Sequence, residues 1–211
     1  IDNRFISEKI KQLRDWGMEF IQASILDENI LKEQLKDADV VIHLAGITDV
    51  AYTKSESNSK EEEIRLTGII GTQNVIKYTS EKCKIIFPST HVVYEGFKET
   101  KLDIVEEEPT CPILTYSIGR VQSEQDLINS GKNYIILRLG SVYGYSGDTM
   151  RINIMPNLFS KIASQNGTIK LFSGGVQLKS LVPLIDVARC IQFMEYVDSI
   201  SRQIFHCSKE T

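Results

Sequence analysis

Residues 84–90 read Lys-Ile-Ile-Phe-Pro-Ser-Thr, an apolar run that ends in two hydroxylated side chains. A run this short, closed by small polar residues, predicts a strand over Lys84–Pro88, buried on both faces, after which the chain turns polar. Working outward, the same pattern predicts strands over Glu19–Ala23, Val40–Ala45, Tyr134–Leu139 and Ile204–His206. Amphipathic stretches separate them: Ser7–Trp16, Glu28–Lys36, Glu61–Ser80, Ile113–Asn129, Pro156–Ser164 and Ile185–Tyr196. Strands alternating with helices imply βαβ units, hence a doubly wound parallel sheet with helices on both faces.

Such a sheet takes its ligand beyond the carboxyl ends of the strands. Three successive ends are small or polar here: Ala45-Gly46, Ser89-Thr90, and Ser141 with Tyr143 and Gly144. That is the composition of a binding cleft. The 211 residues suit one large domain, or one with a partial second lobe. Hydrophobic residues at 42% and charged residues at 25% exclude a disordered or fibrous chain. A net charge of −4 without a basic arm argues against nucleic acid and anionic membranes, which leaves a small molecule as the partner. There is no membrane span and no leader pattern, so a cytoplasmic location is expected. The chain starts at Ile1 and is read as one whose ends are not represented. Cysteines 83, 111, 190 and 207 lack metal-ligand spacing and read as reduced thiols, with no metal site expected. The acidic run Glu106–Glu108 reads as a solvated loop.

Seven short motifs then fall in a family's order. They are Ile-Asp-Asn-Arg at 1–4, His-Leu-Ala-Gly at 43–46, Gly-Thr-Gln-Asn-Val at 71–75 and Pro-Ser-Thr-His-Val-Val-Tyr at 88–94. Glu-Glu-Pro-Thr-Cys-Pro-Ile-Leu-Thr-Tyr at 107–116, Arg-Leu-Gly-Ser-Val-Tyr-Gly at 138–144 and Leu-Val-Pro-Leu-Ile-Asp-Val-Ala at 181–188 complete the set. In these the chain resembles the extended short-chain dehydrogenase/reductase family, in its NAD-dependent nucleotide-sugar epimerase/dehydratase branch.

The resemblance implies a Rossmann-like domain over 1–148 and 178–192 that lacks the family's first βα unit, and a partial substrate lobe over 149–177 and 193–211. The glycine-rich turn has no counterpart, since the 13 glycines form neither GxGxxG nor GxxGxxG. With the chain entering at the second strand, Asp2 and Asn3 are the implied adenosine-ribose residues, favouring NAD over NADP, although Arg4 offers an alternative seat for a 2′-phosphate. Ser24 and Ile25 stand at the adenine-contacting pair, and Leu44, Ala45, Gly46 and Ser89 along the cofactor. Tyr116 matches the catalytic tyrosine, while Arg120 replaces the lysine four residues later, keeping the charge on a longer, planar group. Thr90 matches the hydroxyl that positions the reacting oxygen. His91 and Val92 replace the acidic pair of the dehydratases, which disfavours dehydration.

His91, Ser141 and Lys179 are the implied substrate contacts; Ser141 and Gly68 stand where asparagines are usual, and Lys179 where an arginine is. Asp186 opens a helix, and His43, closing a buried strand, reads as structural rather than catalytic. The implied activity is epimerisation of a nucleoside-diphosphate sugar at carbon 4 through a ketone. Two alternatives stay open: an NAD(P)H-dependent keto-sugar or carbonyl reductase, and a non-catalytic dinucleotide-binding protein. Homodimerisation through helices near 61–80 and 113–129 is also implied, because both carry more apolar positions than one core-facing stripe needs.

Overall fold

The computed structural model describes residues 1–2, 7–47, 61–146 and 150–209. In chain order the elements are α1 (Ser7–Asp15), α2 (Glu28–Leu35), β1 (Val40–Ile42), α3 (Glu61–Arg65), a π-helical turn (Leu66–Ile70), α4 (Gly71–Tyr78) and β2 (Lys84–Thr90). A 3₁₀ turn (His91–Tyr94), α5 (Thr115–Asn129), β3 (Asn133–Leu139), β4 (Ser141–Tyr143), α6 (Met155–Ser164), a second 3₁₀ turn (Phe172–Gly175), β5 (Leu181–Pro183), α7 (Leu184–Tyr196) and β6 (Gln203–Cys207) follow.

The main sheet has the order β1-β2-β3-β6, all parallel. Its centre is the pairing of β2 with β3 over seven residues, from Lys84 opposite Asn133 to Thr90 opposite Leu139. Alternation along β2 sends Ile85 and Phe87 to one face, where they meet Val75 of α4 and Leu127 of α5. It sends Ile86 to the other, with Ile135, Leu137 and Met194 of α7. Both faces are thus helix-covered, which is why these strands are uniformly apolar. Each fully buried aliphatic side chain there contributes about 1.5–3 kcal/mol.

At the opposite edge of the sheet from the strand carboxyl ends, two buried lysines terminate helices. Lys84 Nζ donates to the carbonyls of Met194 (3.1 Å) and Val197 (2.8 Å), which the end of α7 leaves without intrahelical partners. Lys132 Nζ does the same for Thr79 O (2.9 Å) just past α4, and also pairs with Glu81 (2.7 Å). A cation at a helix carboxyl end is favoured by the dipole as well as by the hydrogen bonds.

Three sequence expectations are corrected, and one pairing is added that the sequence did not suggest. The strand expected over Glu19–Ala23 reduces to one parallel bridge between Asp2 and Gln22. The strand from Val40 ends at Ile42 rather than Ala45, because the Leu44 amide turns back onto Ile42 O (3.1 Å). β4 and β5 form a second, two-stranded parallel sheet, with three residues each and so too short to show a period. Residues 203–207, grouped by sequence with the substrate lobe, form the outer strand β6 of the main sheet, and Met194 packs on that same sheet.

Candidate functional site

Helix α5 carries Tyr116, Arg120 and Glu124 four residues apart, so all three lie along the face turned to β2. The Arg120 guanidinium carbon sits 5.3 Å from the ring centroids of both Phe87 and Tyr116. Arg120 is 7% exposed, and among the described residues it donates no hydrogen bond and forms no ion pair. Behind it lies Gly46, where a side-chain carbon would come within 2.7 Å of an Arg120 terminal nitrogen. A side chain at 46 would therefore push the Arg120 guanidinium, the mobile end of its side chain, out of this position. Two ring faces offset only part of the cost of burying this cation, since a cation–π contact is worth about 0.5–2 kcal/mol against several for desolvation.

A shallow recess beside it is lined by Ile47, Ile64, Gly68, Tyr116, Gly119 and Arg120. Gly68 belongs to the π-helical turn, whose freed carbonyl accepts from Thr72 Oγ1 (2.6 Å) and Ser123 Oγ (3.2 Å). Because the Thr72 hydroxyl proton is spent on Gly68, His43 Nε2 must be the donor in its 2.9 Å contact with Thr72 Oγ1. That places a proton on Nε2. Burial, reinforced by the Arg120 charge, lowers the His43 pKa to about 3. His43 is buried and hydrogen-bonded within the fold.

Thr90 closes β2, and its Oγ1 accepts the Val92 amide (3.3 Å), capping the 3₁₀ turn. His91 Nδ1 lies 3.0 Å from Leu139 O, an acceptor only, so Nδ1 carries the proton and Nε2 is left as an acceptor. Burial lowers its pKa, the Leu139 bond opposes this, and the Lys179 charge lowers it further. The Ser141 amide bonds Ser180 O (2.8 Å), which brings Ser141 beside the exposed Lys179. Thr90, His91, Ser141 and Lys179, scattered over 90 positions of sequence, thus converge at the carboxyl ends of β2 and β3.

Ser89, expected along the cofactor, points elsewhere. Strand alternation turns its hydroxyl onto Glu124 Oε1 (2.5 Å) in a buried network. Glu124 is chelated by Arg138 through Nη2 (2.7 Å) and Nε (3.2 Å), and Arg138 Nη1 reaches Tyr94 Oη (2.5 Å) and Glu106 O (2.9 Å). Burial works to lower the Arg138 pKa, but the Glu124 bonds and charge prevail and raise it. Tyr94 Oη continues to His206 Nε2 (2.9 Å), and the Glu106 carboxylate accepts the His206 amide (2.7 Å). Glu106 is held there rather than in the freely solvated loop read from its acidic neighbours.

Sequence reasoning missed Glu124, although its place four residues after Arg120 and eight after Tyr116 puts it on the same helical face. An arginine inside the apolar run Ile-Ile-Leu-Arg-Leu was the complementary signal, since it needs a buried acid. Of the proposed adenosine contacts, Asp2 lies in the bridge with Gln22, while Asn3 and the alternative Arg4 lie outside the described residues. Ser24 Oγ accepts the Leu26 amide (3.2 Å). The Ile25 side chain packs on the core and crowds Gly71, so only its backbone faces outward chemistry; its carbonyl takes Asn74 Nδ2 (3.2 Å). Leu44 and Ala45 are exposed at the end of β1. Among the described residues no three His, Cys, Asp or Glu side chains converge as a metal site, and no helix is long and apolar enough to cross a membrane.

The model of the NAD dependent epimerase/dehydratase family matches residues 1–204. A UDP-glucose 4-epimerase of Mycoplasma genitalium is 29% identical over 185 residues, covering 78% of this chain and 52% of that protein. A probable low-salt glycan biosynthesis reductase of Haloferax volcanii is 29% identical over 154 residues, covering 72% and 50%. The chain spans about half the length of these curated relatives. Among solved structures, UDP-glucuronic acid 4-epimerase from Bacillus cereus, in complex with UDP-glucuronic acid and NAD, superposes with a TM-score of 0.80 at 21% identity, covering 100% of this chain and 68% of that one. UDP-glucose 4-epimerase from Thermotoga maritima gives 0.74 at 22% identity, covering 96% and 73%. With a parallel, doubly wound sheet and a family match over nearly its full length, the chain belongs to the NAD dependent epimerase/dehydratase family.

Proposed function

We propose that this protein is an NAD-dependent 4-epimerase of a nucleoside-diphosphate sugar. The observation that carries the reading is Arg120, a buried guanidinium without an acceptor among the described residues, stacked on the Tyr116 ring. Its fork of donors suits the paired hydroxyls of a nicotinamide ribose, and Gly46 with the exposed Ala45 lets such a ligand approach the backbone. Asp2 and Asn3, with Ser24 and the Ile25 backbone, are assigned to the adenosine end. Bound NAD supplies a reversible hydride acceptor for carbon 4. Tyr116 takes the proton of the 4-hydroxyl, while the Thr90 hydroxyl holds the reacting oxygen against it. Arg120 stays charged throughout, so the phenolate form of Tyr116 that accepts this proton, and that returns when the proton is given back, faces a fixed cation. His91 Nε2, Ser141 and Lys179 hold the sugar nucleotide, Lys179 as a point charge for phosphate. With His91 and Val92 in place of an acidic pair, the ketone is reduced again rather than dehydrated.

The test is purification of the full-length protein without added cofactor, quantification of acid-released NAD, and interconversion of UDP-glucose and UDP-galactose. Retained NAD, turnover, and a 10²- to 10⁴-fold loss in Tyr116→Phe with NAD still bound are expected. Bound NAD without turnover of either sugar refutes the reading in favour of a binding module. One-way reduction of a keto-sugar is a second reading, favoured by the name of the Haloferax relative; it predicts a protein that purifies without nucleotide and consumes NADH or NADPH. We further propose a homodimer through α3–α4 and α5, where Ile113 and Ile118 are half-exposed.

A further inference from the structure

Helix α5 lacks a capping side chain of its own, because Leu114 occupies the N-cap position. The acceptor comes from a distant residue. Glu95 Oε1 takes the amides of Ile113 (3.0 Å) and Leu114 (2.8 Å) and the hydroxyl of Ser117. Glu95 itself closes the 3₁₀ turn that Thr90 opens. The same turn is stitched to the approach to α5 by Cys111 N to Val93 O (2.8 Å) and Gly96 N to Cys111 O (2.8 Å). Nothing larger than glycine fits at 96, where a side-chain carbon would meet Cys111 O at 2.4 Å. On the other flank, Ser89 is tied to Glu124 of α5. Thr90 and Tyr116 therefore lie between two carboxylate links that join the end of β2 to one helix.

We infer that Glu95 is a positioning residue: from the turn that follows Thr90, its carboxylate caps the helix carrying Tyr116 and Arg120, and so sets the separation of the two hydroxyls that must grip one substrate oxygen. This rests on the proposed reading of Thr90 and Tyr116 as the reacting pair. A carboxylate at a helix N-terminus meets both the orphan amides and the positive end of the dipole. Without it the first turn of α5, including Tyr116, loses its tie to Thr90. A displacement of about 1 Å in a reacting group lowers turnover by about 10²-fold.

The experiment compares wild type, Glu95→Ala, Glu95→Gln and Tyr116→Phe as full-length, NAD-loaded proteins. It measures kcat and KM for UDP-galactose, NAD affinity, and amide hydrogen exchange over residues 91–97, 113–117 and 120–129. Glu95→Ala is expected to lower kcat about 10- to 100-fold, with KM and NAD affinity within about twofold. Exchange should rise at 91–97 and 113–117 and stay unchanged at 120–129. Glu95→Gln keeps an oxygen acceptor for both amides, and Ser117 retains Leu114 O (2.9 Å), so kcat should recover to within about threefold of wild type. Unchanged kcat in Glu95→Ala, a loss confined to KM, a Gln variant as impaired as Ala, or unchanged exchange at 113–117 would each overturn the inference. Wild-type turnover in Tyr116→Phe instead overturns the proposed function. If wild type turns over no UDP-galactose, the exchange pattern alone decides for or against the link.

Discussion

Replacing Glu124 with leucine tests the buried network that holds the end of β2 to α5. Glu124 is 1% exposed and Arg138 5%. The carboxylate accepts three bonds from Arg138 (2.7, 3.2 and 3.3 Å) and one from Ser89 (2.5 Å). Glu124→Leu removes all four and leaves a guanidinium whose remaining partners are Tyr94 Oη and Glu106 O, neither a full counter-charge. Breaking a buried pair from one side costs about 3–5 kcal/mol, a third or more of the roughly 5–15 kcal/mol that holds a domain folded. Removing both charges, in Glu124→Leu/Arg138→Met, relieves the uncompensated cation, and leaves only the Ser89 hydroxyl and the Glu106 carbonyl short of a partner, at about 1 kcal/mol each, since Tyr94 Oη keeps His206 Nε2. The double variant should thus be more stable than Glu124→Leu alone by about 1–3 kcal/mol, a coupling that urea unfolding of the four proteins of the cycle measures directly. A Glu124→Leu cost below about 1 kcal/mol, or a double variant no more stable than the single, would show that the network is not the charge-paired unit described here.

His43 binds no proton in the fold down to a pKa of about 3, whereas an unfolded histidine titrates near 6.5. It contributes nothing above pH 6.5, and below that the unfolded chain gains a proton the folded one refuses. Stability should then fall by about 1.4 kcal/mol per pH unit towards pH 4, and His43→Gln, whose amide still donates to Thr72, should remove that increment from urea-unfolding curves measured at pH 6.5, 5.5 and 4.5. Lys84→Met strips the end of α7 of its donor, leaving buried carbonyls at a cost of about 1–3 kcal/mol in thermal unfolding; loss of less than about 0.5 kcal/mol would mean water replaces the ammonium. For the proposed dimer, sedimentation at micromolar concentration should give twice the monomer mass, and Ile118→Asp should halve it without unfolding the chain. A wild-type monomer would refute that interface.

The parallel sheet and its helices were legible in the residues because local physics fixes them. Buried strands must be apolar throughout, helices must alternate faces, and the hydroxylated residues at 89–90 mark where β2 stops, whereas β1 stops at Ile42, short of the small residues at 45–46. Tyr116 and Arg120 were singled out by the family resemblance, and their spacing of four accounts for the helical face they share. Only the tertiary structure decided which side chains of that cleft stay available. Strand alternation carries Ser89 away from Thr90 and into the hands of Glu124, and the Glu106 carboxylate, read as solvated, is drawn inward by the amide of His206, 100 positions later. The cap of α5 comes from Glu95, 18 positions before the first amide it binds. That Arg120 meets two aromatic rings but, among the described residues, no acceptor likewise depends on what approaches it in space. Hydrogen-bond partners are chosen by proximity after folding, and proximity between residues tens of positions apart leaves no periodic trace in the chain that encodes it.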